Sequence, residues 1–191
     1  TTTATTSGNI TVNTSASGCT GTSNSFTISV YPTPVLTSGH NPPAICDNTL
    51  FSYTPTSATT GTTFDWSRAA ITGITNPAAS GTDDPNEVLM NSTTDPINVM
   101  YVYTLTANGC TNAEVVAVVV NPTPVLSSVL TPAAICDSTT FNYIHASLTL
   151  GTTFTWSRAA VSGISNPDGS GAGDISEVLD NTTPNPITVT Y

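Results

Sequence analysis

Tyr101, Tyr103 and Leu105 alternate with Val102, Thr104 and Thr106, a period-two pattern that gathers the larger apolar side chains on one face of a strand. Similar short runs of β-branched and aromatic residues, bounded by Gly, Pro, Asn or Asp, predict strands over Thr49–Thr54, Thr62–Arg68, Glu87–Asn91, Ile97–Ala107 and Glu114–Val120. Asn108-Gly109 falls between the last two and predicts a tight hairpin. No segment carries a helical pattern. Gly169–Gly173 superficially suggests a phosphate loop, but no helix follows and Pro167 precedes it, so it reads as a plain loop. Short strands with regular turn signals predict an all-β chain of antiparallel sandwiches.

The pattern repeats. Pro32-Thr33-Pro34-Val35-Leu36 returns at 122–126, Ala44-Ile45-Cys46-Asp47 at 134–137, and Trp66-Ser67-Arg68-Ala69-Ala70 at 156–160. About three in five positions match at this fixed spacing without a gap, which marks duplication. Cys19 follows Gly18 ahead of Pro32 as Cys110 follows Gly109 ahead of Pro122. The expected domains are therefore 1–31, the C-terminal part of a preceding repeat; 32–121, a complete repeat; and 122–191, a second repeat without its last hairpin. On this reading the sequence is a window on a longer array. Tyr31-Pro32-Thr33-Pro34 and Asn121-Pro122-Thr123-Pro124 join successive repeats almost without linker, and their fixed φ angles predict short, semi-rigid joints. Each repeat would add on the order of 40 Å.

Composition narrows the function. Twelve acidic residues face two cations, Arg68 and Arg158, for a net charge of −10. No basic stripe exists to neutralise nucleic-acid phosphates or to dock on anionic lipid. No apolar run approaches the ~20 residues of a membrane span. The hydrophobic content of 38% suffices for packed cores. The two histidines, His40 and His145, align with Leu130 and Pro55, so no repeated catalytic base is present and no enzyme is expected.

Cys46, Trp66 and Cys110 follow the Cys…Trp…Cys order of sandwich domains in which an indole packs on an inter-sheet disulfide. On that reading Cys46 bonds Cys110, while Cys136 and Cys19 pair outside this sequence. Such a bridge would stabilise the fold by about 4 kcal/mol on the chain-entropy estimate. The alternative is buried free thiols in a cytosolic protein.

Together with Thr-Phe-x-Trp-Ser-Arg-Ala-Ala, Tyr101-Val102-Tyr103-Thr104-Leu105-Thr106-Ala107-Asn108-Gly109-Cys110 and the closing Val-Asn-Pro-Thr-Pro, that order resembles the PKD-like, immunoglobulin-like repeats of Bacteroidota surface proteins. The resemblance covers 32–191 well and 1–31 loosely. It implies secreted, extracellular cell-surface repeats, as in the gliding-motility adhesins of the type IX system. It leaves function open between adhesins, filaments and multidomain hydrolases.

Arg68 and Arg158 stand two residues after Trp66 and Trp156, on the same strand face, with Glu87 and Glu177 as shared acids. A structural ion pair is expected, ligand recognition being the alternative. Asp83, Asp84, Asn86 and Glu87 offer the oxygen ligands calcium prefers; a solvated acidic loop is the default, since the twin keeps only Asp174 and Glu177. No other cofactor is expected. Asp137-Ser138-Thr139 is similar to the O-glycan acceptor pattern of Bacteroidota secreted proteins, with Ser138 as the acceptor. The Asn-x-Ser/Thr triplets at Asn9, Asn13, Asn91 and Asn181 carry little meaning in so threonine-rich a chain.

The functional expectation is a semi-rigid stalk or filament, built on neighbouring repeats of the same chain, that presents a distal region binding a surface glycan or protein. The alternatives are a carbohydrate-binding or spacer module of a secreted hydrolase, and a head-to-tail self-assembling fibre.

Overall fold

The structure, a computed structural model, describes residues 4–191. Every regular element among them is a β-strand, so no helix of the described residues is long and apolar enough to cross a membrane. The chain gathers into two compact units, Thr1–Asn121 and Pro122–Tyr191.

The first unit opens with a long hairpin, β1 (Thr6–Val12) against β4 (Asn24–Val30), carrying a small inner hairpin of β2 (Ser15–Ala16) and β3 (Cys19–Thr20). Ile10, Val12, Phe26, Ile28 and Val30 share one face of it, and all are exposed.

The sandwich follows. β5 (Ile45–Cys46), β6 (Thr49–Phe51), β7 (Thr63–Arg68), β8 (Ala79–Thr82), β9 (Glu87–Leu89), β10 (Ile97–Ala107) and β11 (Cys110–Asn121) form a five-stranded sheet ordered β5-β11-β10-β7-β8 and a facing β6–β9 pair. β10 lies at its centre because its alternation fits a strand with one dry face: Val99, Tyr101, Tyr103 and Leu105 are fully buried, while Met100 and Val102 face out. Asn108 and Gly109 both take positive φ, 50° and 79°, as a two-residue hairpin between Ala107 and Cys110 requires. Phe51 and Leu89 close the core from the β6–β9 pair, with the Phe51 ring 5.1 Å from Tyr101.

β8 has no strand signature. Its Ala-Ser-Gly-Thr sequence is dictated by packing: Gly81 pairs with Trp66, and a Cβ there would lie 2.9 Å from the indole. The small residue lets the ring lie against the neighbouring backbone.

The second unit repeats the scheme with β12 (Thr139–Tyr143), β13 (Thr155–Arg158), β14 (Gly169–Ala172) and β15 (Ile175–Leu179), paired β12–β15 and β13–β14. Gly169–Gly173 is therefore not the plain loop expected from sequence. Most of it is β14, and Gly171 lies under Trp156 as Gly81 lies under Trp66. Residues 187–191 correspond to the start of β10 but form no ladder. An open cleft of about 870 Å³ lies along this unit, lined by Leu126, Phe141, Tyr143, Trp156, Ile175 and Tyr191 among others.

Candidate functional site

Two features concentrate the polar chemistry of the first unit: a buried arginine cluster and the fastening of the incoming Pro-Thr-Pro segment. Arg68 stands two residues after Trp66 on β7, so both point into the core, and Arg68 is only 2% exposed. Its Nε and Nη2 donate to Oε2 and Oε1 of Glu87, each at 2.8 Å, a bidentate pair. Nη2 also donates to the Pro77 carbonyl at 2.7 Å, and Nη1 to that of Ala69 at 3.2 Å. Tyr101 Oη donates to Glu87 Oε2 at 2.7 Å, and the Trp66 ring meets Tyr101 edge-on at 5.5 Å.

Burial pushes the Glu87 carboxyl up, but hydrogen bonds from Arg68 and Tyr101, with the arginine's charge, outweigh it and hold the group below the usual carboxylate range. The Glu87 hydrogen bond outweighs desolvation and raises Arg68. Burial and the neighbouring carboxylate raise the Tyr101 phenol strongly. The second unit rebuilds the cluster: Arg158 donates to Glu177 at 3.0 and 3.2 Å and to Pro167 O at 2.7 Å, and Tyr191 Oη donates to Glu177 at 2.5 Å. With guanidinium and carboxylate paired by the protein itself, the arrangement locks β7, β9 and β10 together.

The Cys46–Cys110 disulfide expected from sequence is not formed; all four cysteines are free thiols. β5 pairs in parallel with the far end of β11, placing Cys46 beside Asn121, whereas Cys110 begins that strand. The two therefore stand roughly a strand length apart, ~35 Å, far beyond the 4.4–6.8 Å that a disulfide spans between Cα atoms.

The calcium set does not assemble either. Asp84 accepts from Ser52 Oγ and from the Tyr53 and Asn86 amides, and Glu87 is committed to Arg68. Among the described residues no group of three or more acidic, His or Cys side chains is placed to hold a metal. Ser138 lies exposed in a turn with φ 57°, its hydroxyl donating to Asp180 at 2.9 Å. His40 pairs with Glu114 at 2.7 Å and His145 with Asp174 at 3.1 Å. Trp66 and Trp156 keep buried indole N–H groups without a partner.

Sequence reasoning missed the residues that fasten the Pro34–Leu36 segment. Asn112 Nδ2 donates to the Pro34 carbonyl at 3.0 Å, and Glu114 Oε1 accepts from the Leu36 amide at 3.1 Å, so the inner face of β11, on the same side as Val116 and Val118, grips the segment that follows Pro32. Pro34 is fully buried there. It also missed Asn91, whose buried amide donates to Val120 O at 2.9 Å and so belongs to the core despite its Asn-x-Thr context. The signal available for Asn91 was its recurrence at Asn181; Asn112 and Glu114 have no counterpart within 122–191 to compare.

Residues 43–124 match the PKD-like domain family. This segment, with its antiparallel sheets, is a PKD-like, immunoglobulin-like β-sandwich. Such domains are generally extracellular structural modules and typically non-catalytic. No curated protein matches the chain.

Proposed function

We propose that the chain is a load-transmitting segment of tandem PKD-like repeats in an extracellular surface protein, a semi-rigid stalk of the adhesin kind found in Bacteroidota. The observation that carries this reading is the fastening of Pro34–Leu36 by Asn112 and Glu114. A chain entering through two prolines and then gripped by the last strand cannot swing on a loose tether. Pro122-Thr123-Pro124 repeats the incoming sequence. The buried Arg68–Glu87–Tyr101 cluster suits a module whose task is to stay folded.

A carbohydrate-binding reading needs a row of exposed aromatics, yet Trp66, Tyr101 and Tyr103 are buried. A head-to-tail fibre would require residues 6–12 of another copy to take the positions that 187–191 already hold, with Tyr191 bound to Glu177. Small-angle scattering tests the stalk. The chain should show a narrow distribution of maximum dimensions, and Pro122→Gly with Pro124→Gly should broaden it while thermal midpoints stay within a few degrees. A broad distribution in the unaltered chain would replace the stalk with a flexible tether.

A further inference from the structure

The free cysteines sit at opposite ends of the sandwich, and each end is a joint. Cys110 Sγ lies 4.0 Å from the carbonyl oxygen of Tyr31, the residue that leads into Pro32. Cys46 pairs with Asn121, the residue that leads into Pro122, and the amide of the adjoining Asp47 donates to the Asn121 carbonyl at 2.7 Å. Tyr31 and Asn121 are the same position of the repeat. Each precedes a Pro-Thr-Pro-Val-Leu run and directly follows a valine, Val30 or Val120, on the returning strand of a hairpin. One cysteine of a repeat thus lies beside the carbonyl of the residue ahead of the repeat, and the other immediately precedes the amide that binds the equivalent carbonyl at the repeat's own exit.

Superposing the two ends sets Cys110 Sγ and the residue next to the other cysteine on a single carbonyl, with that cysteine as the ladder partner of the carbonyl's own residue. The strand equivalent to β5 in a preceding repeat would donate to Tyr31 O from one side, and Cys110 Sγ already stands beside that oxygen. We propose that Cys110 forms a disulfide with the cysteine at the Cys46 position of the repeat before it, so that each joint is closed by a covalent staple between repeats. Cys46 would pair in the same way with the last-hairpin cysteine of the repeat that follows. This inference rests on the tandem reading above. It is consistent with four free thiols, since no two of these cysteines stand in the relation that the staple requires. It also assigns the staple a mechanical role, since the bond would bridge the proline joint and carry tension past it.

The step is thiol–disulfide exchange with a small-molecule disulfide as oxidant. One protein thiolate attacks that disulfide and releases a small thiol. The second protein thiolate then attacks the mixed disulfide and releases the other. Two cysteine thiols are oxidised and one small disulfide is reduced.

The test extends the chain with its own sequence by placing a second copy of residues 32–91 ahead of Thr1, which completes the repeat that ends at Tyr31. After refolding with oxidised glutathione, non-reducing peptide mapping should link the added copy of Cys46 to Cys110 and leave Cys19, Cys46 and Cys136 free. The unextended chain should show four free thiols under the same conditions. A link from the added Cys46 to Cys19 would overturn the proposal in favour of a staple within one repeat. Free thiols in an extended chain that melts cooperatively would overturn the staple while leaving the tandem reading intact. Should that chain not fold, appending residues 102–121 after Tyr191 is equally decisive: the expected link joins Cys46 to the added Cys110, and one from Cys136 to the added Cys110 overturns it.

Discussion

Residues 32–121 and 122–191 carry matching core positions but bury them unequally. Leu36 is 7% exposed where Leu126 is 39%, and Tyr101 is fully buried where Tyr191 is only partly so. The difference follows from the long β10–β11 hairpin, which in the first unit supplies Tyr103, Leu105, Val116, Val118 and Val120 to the core. The arginine cluster behaves differently. Arg158 is still only 3% exposed, and its hydrogen bonds repeat those of Arg68. The polar knot is thus assembled by β7, β9 and the loop between them, or by their counterparts, whereas the apolar core needs strands from the end of the repeat. Local and long-range stabilisation are separable in this fold.

The largest test of that separation is Arg68→Ala. It leaves the Glu87 carboxylate with only the Tyr101 hydroxyl as a donor and without its counter-charge, and breaking a buried pair in this way costs about 3–5 kcal/mol. Arg158→Ala should cost less, about 1–3 kcal/mol, because the open cleft lets water reach the orphaned groups. Urea titrations followed by tryptophan fluorescence measure both. Replacing the whole set with Arg68→Met, Glu87→Leu and Tyr101→Phe should recover most of the loss, since no uncompensated charge is then left buried and only the Pro77 and Ala69 carbonyls lose a donor. Equal losses for Arg68→Ala and Arg158→Ala would show that closure of the core does not govern the cluster's energetics.

The sequence shows some of this directly and hides the rest. The alternation through Tyr101, Tyr103 and Leu105 names the buried face because a strand with one dry side has no other solution, and Asn108-Gly109 names its turn. Arg68 is the one cation that recurs at the fixed spacing and Glu87 is among the acids that do, so their meeting is legible too. β8 and β14 are not, because their small residues answer to an indole on another strand and carry no propensity of their own. The cysteines mislead for a topological reason. A Cys…Trp…Cys order implies a bridge only if the first cysteine's strand faces the start of the last strand, and here β5 pairs with its end.

Gly81→Ala probes that hidden contact. The added methyl would lie 2.9 Å from Cζ2 of Trp66, a ring fixed between Tyr101 and the β8 backbone. Overpacking of this kind costs about 1–3 kcal/mol. At Gly171 the same clash, 3.0 Å from Trp156, meets a ring bordering the cleft, which can tilt away. Gly171→Ala should therefore shift the thermal midpoint of its unit by less than Gly81→Ala shifts its own. A larger shift at Gly171 would mean that the cleft wall is as rigid as the closed core.

The smallest effect is read in alkali. Each cluster holds a neutral phenol against a carboxylate, so ionisation is opposed in the folded state, and burial adds to this. Tyr191 is pushed up to about 12, and Tyr101, in the closed core, further still. A group whose folded pKa is raised contributes stability that is complete below its unfolded value, about 10 for tyrosine, and is lost as pH rises towards the folded value. Both units should therefore lose this contribution above about pH 10, and neither should lose it between neutrality and that point. The comparison lies in how the phenolates appear. Subtracting the ultraviolet titration of Tyr191→Phe from that of the unaltered chain should give a phenolate rising gradually near pH 12. The same subtraction with Tyr101→Phe should give no phenolate until the first unit unfolds, and then an abrupt one that coincides with the loss of tryptophan fluorescence. If Tyr101 instead ionises gradually at the ordinary tyrosine pH while its unit stays folded, the closed core does not protect the cluster, and the distinction drawn between the two units fails at its most buried point.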